Sequence, residues 1–248
     1  ETLGVMFGAL IGGSIAGLLG IKRTFIFSSI IMFSAFIITN FSISPNYSPK
    51  KINMISFRES FSSILRSFKK LSLIMVPYGS LLGVILYVFP AYASNLSFTP
   101  FWIGILFMFF RIGRIIGAFT VRYTNSKGDQ VNIIFSGILF MSSFLLLSYS
   151  DSFILLTASL IGAGIAGGFL FPTALNFATK ISPEHKVGMT IGSLEASIAA
   201  GMMFGPLLTS FLLENSNYGS PFVIASLFGL IILVVGITWP KYQGYQLV

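Results

Sequence analysis

GMMFGPLL, residues 201–208, occurs a second time near the start of the chain as GVMFGALI, residues 4–11. The copies at 201 and 4 are offset by 197 positions, and the offset runs without a gap to Phe25 and Phe222, which open the next apolar run in each copy. A repeat of this length in apolar helices indicates two homologous halves of a membrane protein.

The composition is that of a membrane protein. Of the 248 residues, 54% are hydrophobic and only 9% are charged, and 27 are Phe. A water-soluble domain of this size could not bury so much apolar surface. Charge-free runs of roughly 20 residues match a helix that crosses a ~30 Å hydrocarbon layer. The chain has no Cys and one His, which argues against disulfides, thiol chemistry and a His-based metal site.

Eight apolar runs predict transmembrane helices, and hence an all-α membrane protein. They cover residues 3–19, 24–43, 72–93, 101–121, 131–149, 153–177, 187–213 and 221–239. From the first copy of the repeat to the second the count advances by six, so the repeating unit is a six-helix half. We therefore expect residues 1–43 to be the last two helices of an N-terminal bundle, and four helices to precede Glu1. Residues 44–71 are expected to form a basic cytoplasmic linker and residues 72–248 a complete C-terminal six-helix bundle.

The basic residues of the loops predict the orientation in the membrane. When the loop 44–71 is placed in the cytoplasm, the outside holds only Lys22 and Arg23. The inside then holds Lys50, Lys51, Arg58, Arg66, Lys69, Lys70, Arg122, Lys127, Lys180, Lys186 and Lys241. This distribution predicts a multi-pass plasma-membrane protein with a cytoplasmic C-terminus. The net charge of +8 is thus an insertion signal, and no nucleic-acid partner is expected.

The linker between the predicted halves allows two interpretations. Phe57, Phe61 and Phe68 recur at helical spacing beside Arg58 and Arg66. A short helix lying on the anionic lipids of the inner leaflet would use both sets of side chains. A solvated linker with ordinary topology charges would also carry the basic residues, so both interpretations stay open.

Small residues and prolines are densest between residues 162 and 206. The sixth run contains Gly162-Ala163-Gly164, Gly167-Gly168 and Pro172, the turn SPEHKVG follows at 182–188, and the seventh run contains Gly201, Gly205 and Pro206. Small residues let transmembrane backbones approach closely, and Pro loosens the local hydrogen-bond ladder. These stretches resemble the glycine-rich tenth helix, the Pro-Glu-x-x-basic turn and the Gly-Pro-bearing eleventh helix of major facilitator superfamily transporters.

Two further motifs carry the same resemblance. Gly4-x3-Gly8-Ala9-x2-Gly12-Gly13 resembles the fifth-helix motif associated with antiporters in drug-efflux members, with Ala9 where that motif has Pro. Gly117 and Arg122-Tyr123 represent the signature loop after the eighth helix, with Val121 in place of Asp and Thr124 in place of Gly. In these terms the eight runs resemble family helices five to twelve.

The resemblance implies a major-facilitator-type helical bundle, in which two six-helix halves rock around one central cavity. Family helices seven and ten, the third and sixth runs here, would help to line that cavity, and helices two, five, eight and eleven would form the moving interface. A monomer that uses a proton gradient and no bound cofactor is expected. The residues carried over as conformational elements are Gly8, Gly12, Gly13, Arg122, Gly205 and Pro206.

Three charges are predicted to lie inside the membrane. Arg111 lies eleven residues, or ~16 Å along a helix, from Arg122 at the boundary; Arg114 and Glu195 are also predicted to be deep. An unpaired charge at such depth costs several kcal/mol, so these groups are expected to face protein or water. One interpretation is a structural pair between Glu195 and Arg114 or Arg111. The other makes Glu195 a proton carrier and Arg111 an anchor for an anionic group.

Weaker candidates lie on the third and sixth runs. Tyr78 and Tyr92 are two heptads apart, and Thr173 and Asn176 share a face with Phe169. These faces are candidates for the cavity wall and the substrate. The structural alternative is helix–helix hydrogen bonding and lipid-facing aromatic side chains.

The function expected from these observations is secondary active transport of a small solute, with proton-coupled efflux preferred. A proton-coupled importer of sugars or organic anions is the close alternative, and a transporter-like receptor without flux is the alternative from another class. An enzyme would need a polar catalytic cluster, a channel would need polar rings along a pore, and an ATPase would need a Walker motif. The sequence shows none of these three patterns.

Overall fold

The computed structural model describes residues 2–42, 71–124, 128–182, 187–211 and 220–239, and within them all regular structure is helical. The all-α prediction is therefore confirmed for this part of the chain. The helices are α1 (Thr2–Leu19), α2 (Ile21–Ser42), α3 (Leu71–Asn95), α4 (Pro100–Thr124), α5 (Asp129–Ser148), α6 (Phe153–Ile181), α7 (Val187–Phe211) and α8 (Ser220–Ile237).

Six of these helices are long and apolar enough to cross a membrane, namely α2 to α7. The apolar parts of the other two, Phe7–Leu19 and Pro221–Ile237, are shorter. Eight transmembrane spans therefore remain a prediction. Residues 44–70 of the predicted linker, with the helix predicted in it, lie outside the described residues, and Leu71 is already the first residue of α3.

Local chemistry defines several helix ends. Gly20 follows α1 with φ +83°, a left-handed conformation that favours Gly, and its N–H donates to the carbonyl of Ala16 at 3.1 Å. The chain then enters α2 directly. At the start of α6, the hydroxyl of Ser152 accepts a hydrogen bond from the N–H of Leu155 at 3.3 Å, as an N-cap should.

Helix α3 is irregular in its C-terminal half. Residues Val84–Val88 form a π-helical turn, in which the N–H of Phe89 donates to the carbonyl of Val84. Pro90 follows at once and has no N–H, so a regular α-helical ladder is interrupted here. The apolar pattern of the sequence does not predict the π turn. Such turns bend a helix without unfolding it.

The core lies between helices α3 to α8 and is rich in aromatic side chains. Among the largest fully buried side chains are Tyr78, Phe89, Phe110, Phe140, Phe144 and Phe222. Helix α2, by contrast, exposes most of its apolar side chains, with Phe25 at 70% and Phe41 at 90% exposure. Such a surface is ordinary for a helix in contact with lipid, where apolar exposure costs nothing.

Glycines bring α3 and α7 into backbone contact. A Cβ added at Gly79 would meet the carbonyl of Ile198, and one at Gly83 would lie 2.6 Å from the carbonyl oxygen of Met202. From the other side, a Cβ added at Gly205 would lie 2.5 Å from the backbone carbonyl oxygen of Ser80. The sequence therefore carries a matched pair of small-x3-small motifs, and only Gly fits at these crossings.

Two more helix pairs use the same device. Helices α4 and α6 meet through Gly113 and Gly117 on one side and Gly164 and Gly168 on the other. Helices α5 and α8 meet at Gly229, whose added Cβ would lie 2.6 Å from the backbone N of Met141. Because these contacts join backbone to backbone, the helices they connect are held at fixed spacing.

Helix α1 packs on α4 near one end of both helices. A Cβ at Gly13 would lie 2.8 Å from the carbonyl oxygen of Pro100, and one at Gly104 would lie 2.7 Å from the carbonyl oxygen of Ala9. Further along α1, a Cβ added at Gly17 would lie 3.7 Å from the Cβ of Phe101. Helix α1 belongs to the first copy of the repeat and α4 to the segment after the linker, so this contact crosses between the two.

Candidate functional site

Arg114 is held by the backbone of the neighbouring helix. The α4–α6 crossing places Gly164 and Gly168 on either side of it: a Cβ at Gly164 would lie 2.9 Å from the Arg114 N, and one at Gly168 would meet the Arg114 carbonyl. Arg114 lies fourteen residues after Pro100, or ~21 Å along α4, and ~15 Å before Thr124. The side chain is half-buried, in the middle part of a helix that is long and apolar enough to cross a membrane.

The guanidinium of Arg114 lies over an aromatic ring of α6. Its Cζ lies 5.5 Å from the centroid of the Phe171 ring, within the range of a cation–π interaction. Phe171 in turn lies 6.5 Å from Tyr78 of α3, and Tyr78 lies 6.0 Å from Phe140 of α5. Four helices thus contribute to one cluster of a cation and three rings. The sequence predicted Arg114 and Tyr78 but missed Phe171 and Phe140, since one Phe among 27 carries no local signal.

Arg111 lies one turn from Arg114 on the same helix and is also half-buried. Its Cζ is 5.6 Å from the ring centroid of its neighbour Phe110, whose own side chain is 1% exposed. The predicted arrangement of two arginines on adjoining turns of one helix is therefore present. Both guanidinium groups are associated with aromatic rings.

Glu195 lies on an exposed part of α7 and makes no ion pair with any described residue. The structural pair with Arg111 or Arg114, expected as one alternative, is therefore not formed between the described residues. The reason is that α7 packs on α3 through Leu194, Ile198 and Gly201, which turns Glu195 to a different side. One turn before it, Gly192 also faces open space.

Both tyrosines predicted on α3 point into the protein. Tyr78 is fully buried, and Tyr92 is 6% exposed. The hydroxyl of Tyr92 donates to the Ser150 carbonyl at 2.9 Å and approaches Asp151 Oδ1 at 3.4 Å, while its ring meets Phe222 edge-on at 4.9 Å. Tyr92 thus connects α3 to the α5–α6 turn and to α8, which is a structural contact.

The predicted face of α6 packs towards α5. Phe169 lies 5.0 Å from Phe135, and Thr173 is 1% exposed with its hydroxyl donating to the Phe169 carbonyl at 2.7 Å. Asn176 is half-buried, and its amide N has no hydrogen-bond partner in the described part of the chain. The same holds for the amide N of Asn132 on α5, which sequence reasoning missed, although an Asn in an apolar run is itself a signal.

The predicted conformational residues divide into two groups. Gly13, Gly205 and Pro206 lie at helix crossings, with Pro206 Cδ 2.9 Å from the position of a Cβ at Gly83. Gly8 and Gly12 face open space on α1, and Arg122 is exposed in the last turn of α4. No cluster of three His, Asp or Glu side chains that could hold a metal ion occurs among the described residues.

Comparisons with known proteins agree with these motifs. The model of the family described as Major Facilitator Superfamily matches residues 71–243, the segment that contains α3 to α8. Quinolone resistance protein NorA of Staphylococcus aureus, from strains Mu50 and N315, is 27% identical over 157 residues, which are 63% of this chain and 40% of NorA. The uncharacterized MFS-type transporter MJ1560 of Methanocaldococcus jannaschii is 26% identical over 243 residues, 94% of this chain and 62% of that protein.

The chain thus spans less than two thirds of the length of each of these relatives. The family match nevertheless covers more than half of the chain and includes the helices with the glycine and proline motifs. The protein therefore belongs to the Major Facilitator Superfamily, as its repeat and its motifs predicted.

Proposed function

We propose that the complete protein is a secondary active transporter that exports a small solute by alternating access, driven by a proton gradient. Residues 1–43 would end the first six-helix bundle and residues 72–248 would form the second, with four helices preceding Glu1. The protein would act as a monomer in the plasma membrane with its C-terminus in the cytoplasm. The linker 44–71 would lie against anionic lipids of the inner leaflet.

The family match over 71–243 carries this proposal. A family of carriers favours transport over catalysis, and the name of NorA, a quinolone resistance protein, favours efflux. The geometry adds a suitable moving contact. Helix α1, in the first copy of the repeat, meets α4 through Gly13 and Gly104, so alternating access would have to change this contact.

Glu195 is the proposed proton carrier. Of the three carboxylates in the described residues, Asp129 opens α5 and Asp151 lies in the turn before α6, so Glu195 alone among them lies within a membrane-crossing helix. Its exposed side chain is not covered by α3, so water or the preceding helices could reach it. A carboxylate in this position can exchange its proton as the two bundles alternate.

The test is uptake of a fluorescent quinolone into inverted vesicles that contain the complete natural protein, with an imposed pH gradient, because cellular export corresponds to movement into the lumen of such vesicles. We expect uphill movement of the quinolone in wild type. Glu195→Gln should abolish uphill movement and leave downhill exchange intact, because the solute path remains while proton binding is lost. Glu195→Asp, which keeps a titratable group, should retain at least part of the uphill flux.

The outcomes separate the parts of the proposal. Uphill flux that is unchanged in Glu195→Gln excludes Glu195 as the coupling residue. Solute transport only towards the cytoplasmic side of the protein would favour the importer of organic anions. The two half-buried guanidinium groups of α4 support that alternative. Binding of solutes without any flux would favour a receptor.

A further inference from the structure

We propose that Arg114 and Phe171 form a subsite for an aromatic solute that carries an anionic group, such as an aromatic carboxylate. The inference rests on the proposed transport function and specifies the chemical class of its substrate. It depends on three features of the α4–α6 crossing: the fixed position of Arg114, the orientation of its guanidinium, and the charges around it.

The position of Arg114 is fixed by the backbone. Gly164 and Gly168 of α6 lie against the N and the carbonyl of Arg114, so the Arg114 backbone cannot shift along or away from α6 without losing this contact. Phe171 stands one turn beyond Gly168 on the same helix. The distance between guanidinium and ring is therefore preorganised, which lowers the entropic cost of binding.

The guanidinium of Arg114 brings hydrogen-bond donors next to the Phe171 ring. Its Cζ lies over that ring, and its five N–H donors form a rigid fork in the plane of the group. A carboxylate binds in that plane through two parallel hydrogen bonds. A solute that places a carboxylate there brings its own ring beside Phe171, where offset or edge-on contact between rings is favourable. Arg114 and Phe171 are both half-buried rather than enclosed.

The charges select an anion. Arg114 makes no ion pair with a described carboxylate, because Asp129 and Asp151 lie at helix ends and Glu195 lies on the exposed side of α7. Arg111 adds a second positive charge one turn away. At membrane depth an uncompensated guanidinium is costly, and a bound carboxylate would remove that cost. A cationic solute would meet repulsion from Arg114.

The experiment measures binding to the purified complete protein with four probes. These are naphthalene-2-carboxylate, its neutral carboxamide, cyclohexanecarboxylate, and the naphthyl trimethylammonium cation. In wild type the naphthoate should bind on the order of tenfold more tightly than the carboxamide and than the cyclohexane acid, since each comparison removes one element of recognition. The ammonium probe should bind most weakly.

Substitutions then assign the recognition to residues. Arg114→Gln should lower naphthoate affinity on the order of tenfold and change carboxamide affinity little; Arg114→Lys should recover only part of it, because Lys keeps the charge but not the fork. Phe171→Leu should weaken both naphthyl probes and spare the cyclohexane acid. Two matched controls, Arg23→Gln on exposed α2 and Phe119→Leu on the exposed side of α4, should leave all affinities unchanged.

The comparison of probes in wild type needs no variant, so it remains decisive if a substituted protein fails to fold. Equal affinity for naphthoate and carboxamide, or preference for the ammonium probe, would overturn the subsite. Transport of cationic solutes alone would overturn the subsite but would still support the proposed transport function. Binding of naphthoate with the expected pattern, but without flux of any solute, would retain the subsite and reject the proposed function.

Discussion

A disulfide between α1 and α4 tests whether the contact between the two halves must open during transport. The Cβ of a residue at position 17 would lie 3.7 Å from the Cβ of Phe101, inside the ~3.5–4.5 Å range of natural disulfides. The chain contains no Cys, so Gly17→Cys with Phe101→Cys introduces the only two thiols among these 248 residues. We expect the double variant to form an intramolecular disulfide under mild oxidation.

The magnitude of the effect follows from the loop that the bond closes. Residues 17 and 101 enclose about 85 residues, for which loop-closure entropy predicts a stabilisation of up to ~4.5 kcal/mol. A domain of this size gains roughly 2–4 °C in Tm per kcal/mol. Oxidation should therefore raise the Tm of the 248-residue chain in detergent by about 10 °C, and reduction should reverse the rise.

Transport by the complete protein provides the second measurement. If α1 and α4 must separate for the cavity to open on their side, flux should stop on oxidation and recover after a thiol reductant is added. The two single-Cys variants, treated with the same oxidant, should keep their flux. Failure of the disulfide to form would refute the α1–α4 contact, and full flux through a cross-linked protein would refute the idea that this contact opens.

Two further substitutions test the packing in the 248-residue chain, with Tm as the measurement. Gly201→Ala forces a Cβ within 2.8 Å of the backbone N of Ser80, which should lower the free energy of unfolding by ~1–3 kcal/mol. The control Gly192→Ala places its Cβ in open space and should raise the free energy of unfolding by ~0.5–1 kcal/mol through helix propensity. The two Tm values should differ by about 3–16 °C, and equal values would contradict the close α3–α7 crossing. Tyr92→Phe removes the hydrogen bond to Ser150 and should cost about 1 kcal/mol. The control Tyr87→Phe, at a side chain that is 62% exposed, should cost nothing, and identical behaviour of the two variants would reject Tyr92 as a connection between helices.

The sequence alone determined the class of the protein. An apolar composition, runs of helical length and a long internal repeat leave few alternatives, because a lipid environment accepts backbone only as helices or closed barrels. The helices of the described residues occupy the predicted runs within a few residues, and the glycine and proline motifs identified the family. These signals are local or periodic, so they can be read without coordinates.

Only the tertiary structure decided which side of each helix faces inward. In an apolar transmembrane helix all sides look alike in sequence, since lipid and protein interior are equally apolar. The sequence predicts Tyr78, Tyr92 and Thr173 as part of a cavity wall without showing which side of its helix each occupies, and the structure shows all three as buried. The position of Glu195 away from the arginines had the same cause.

The cluster around Arg114 shows the limit most clearly. Arg114 could be found as a charge at membrane depth, but its stacking on Phe171 depends on the crossing of α4 and α6. That crossing is set by Gly164 and Gly168, which lack the Cβ atoms that would hold the two backbones apart. The sequence shows where the glycines lie, but which backbone packs against each glycine depends on contacts between distant parts of the folded chain.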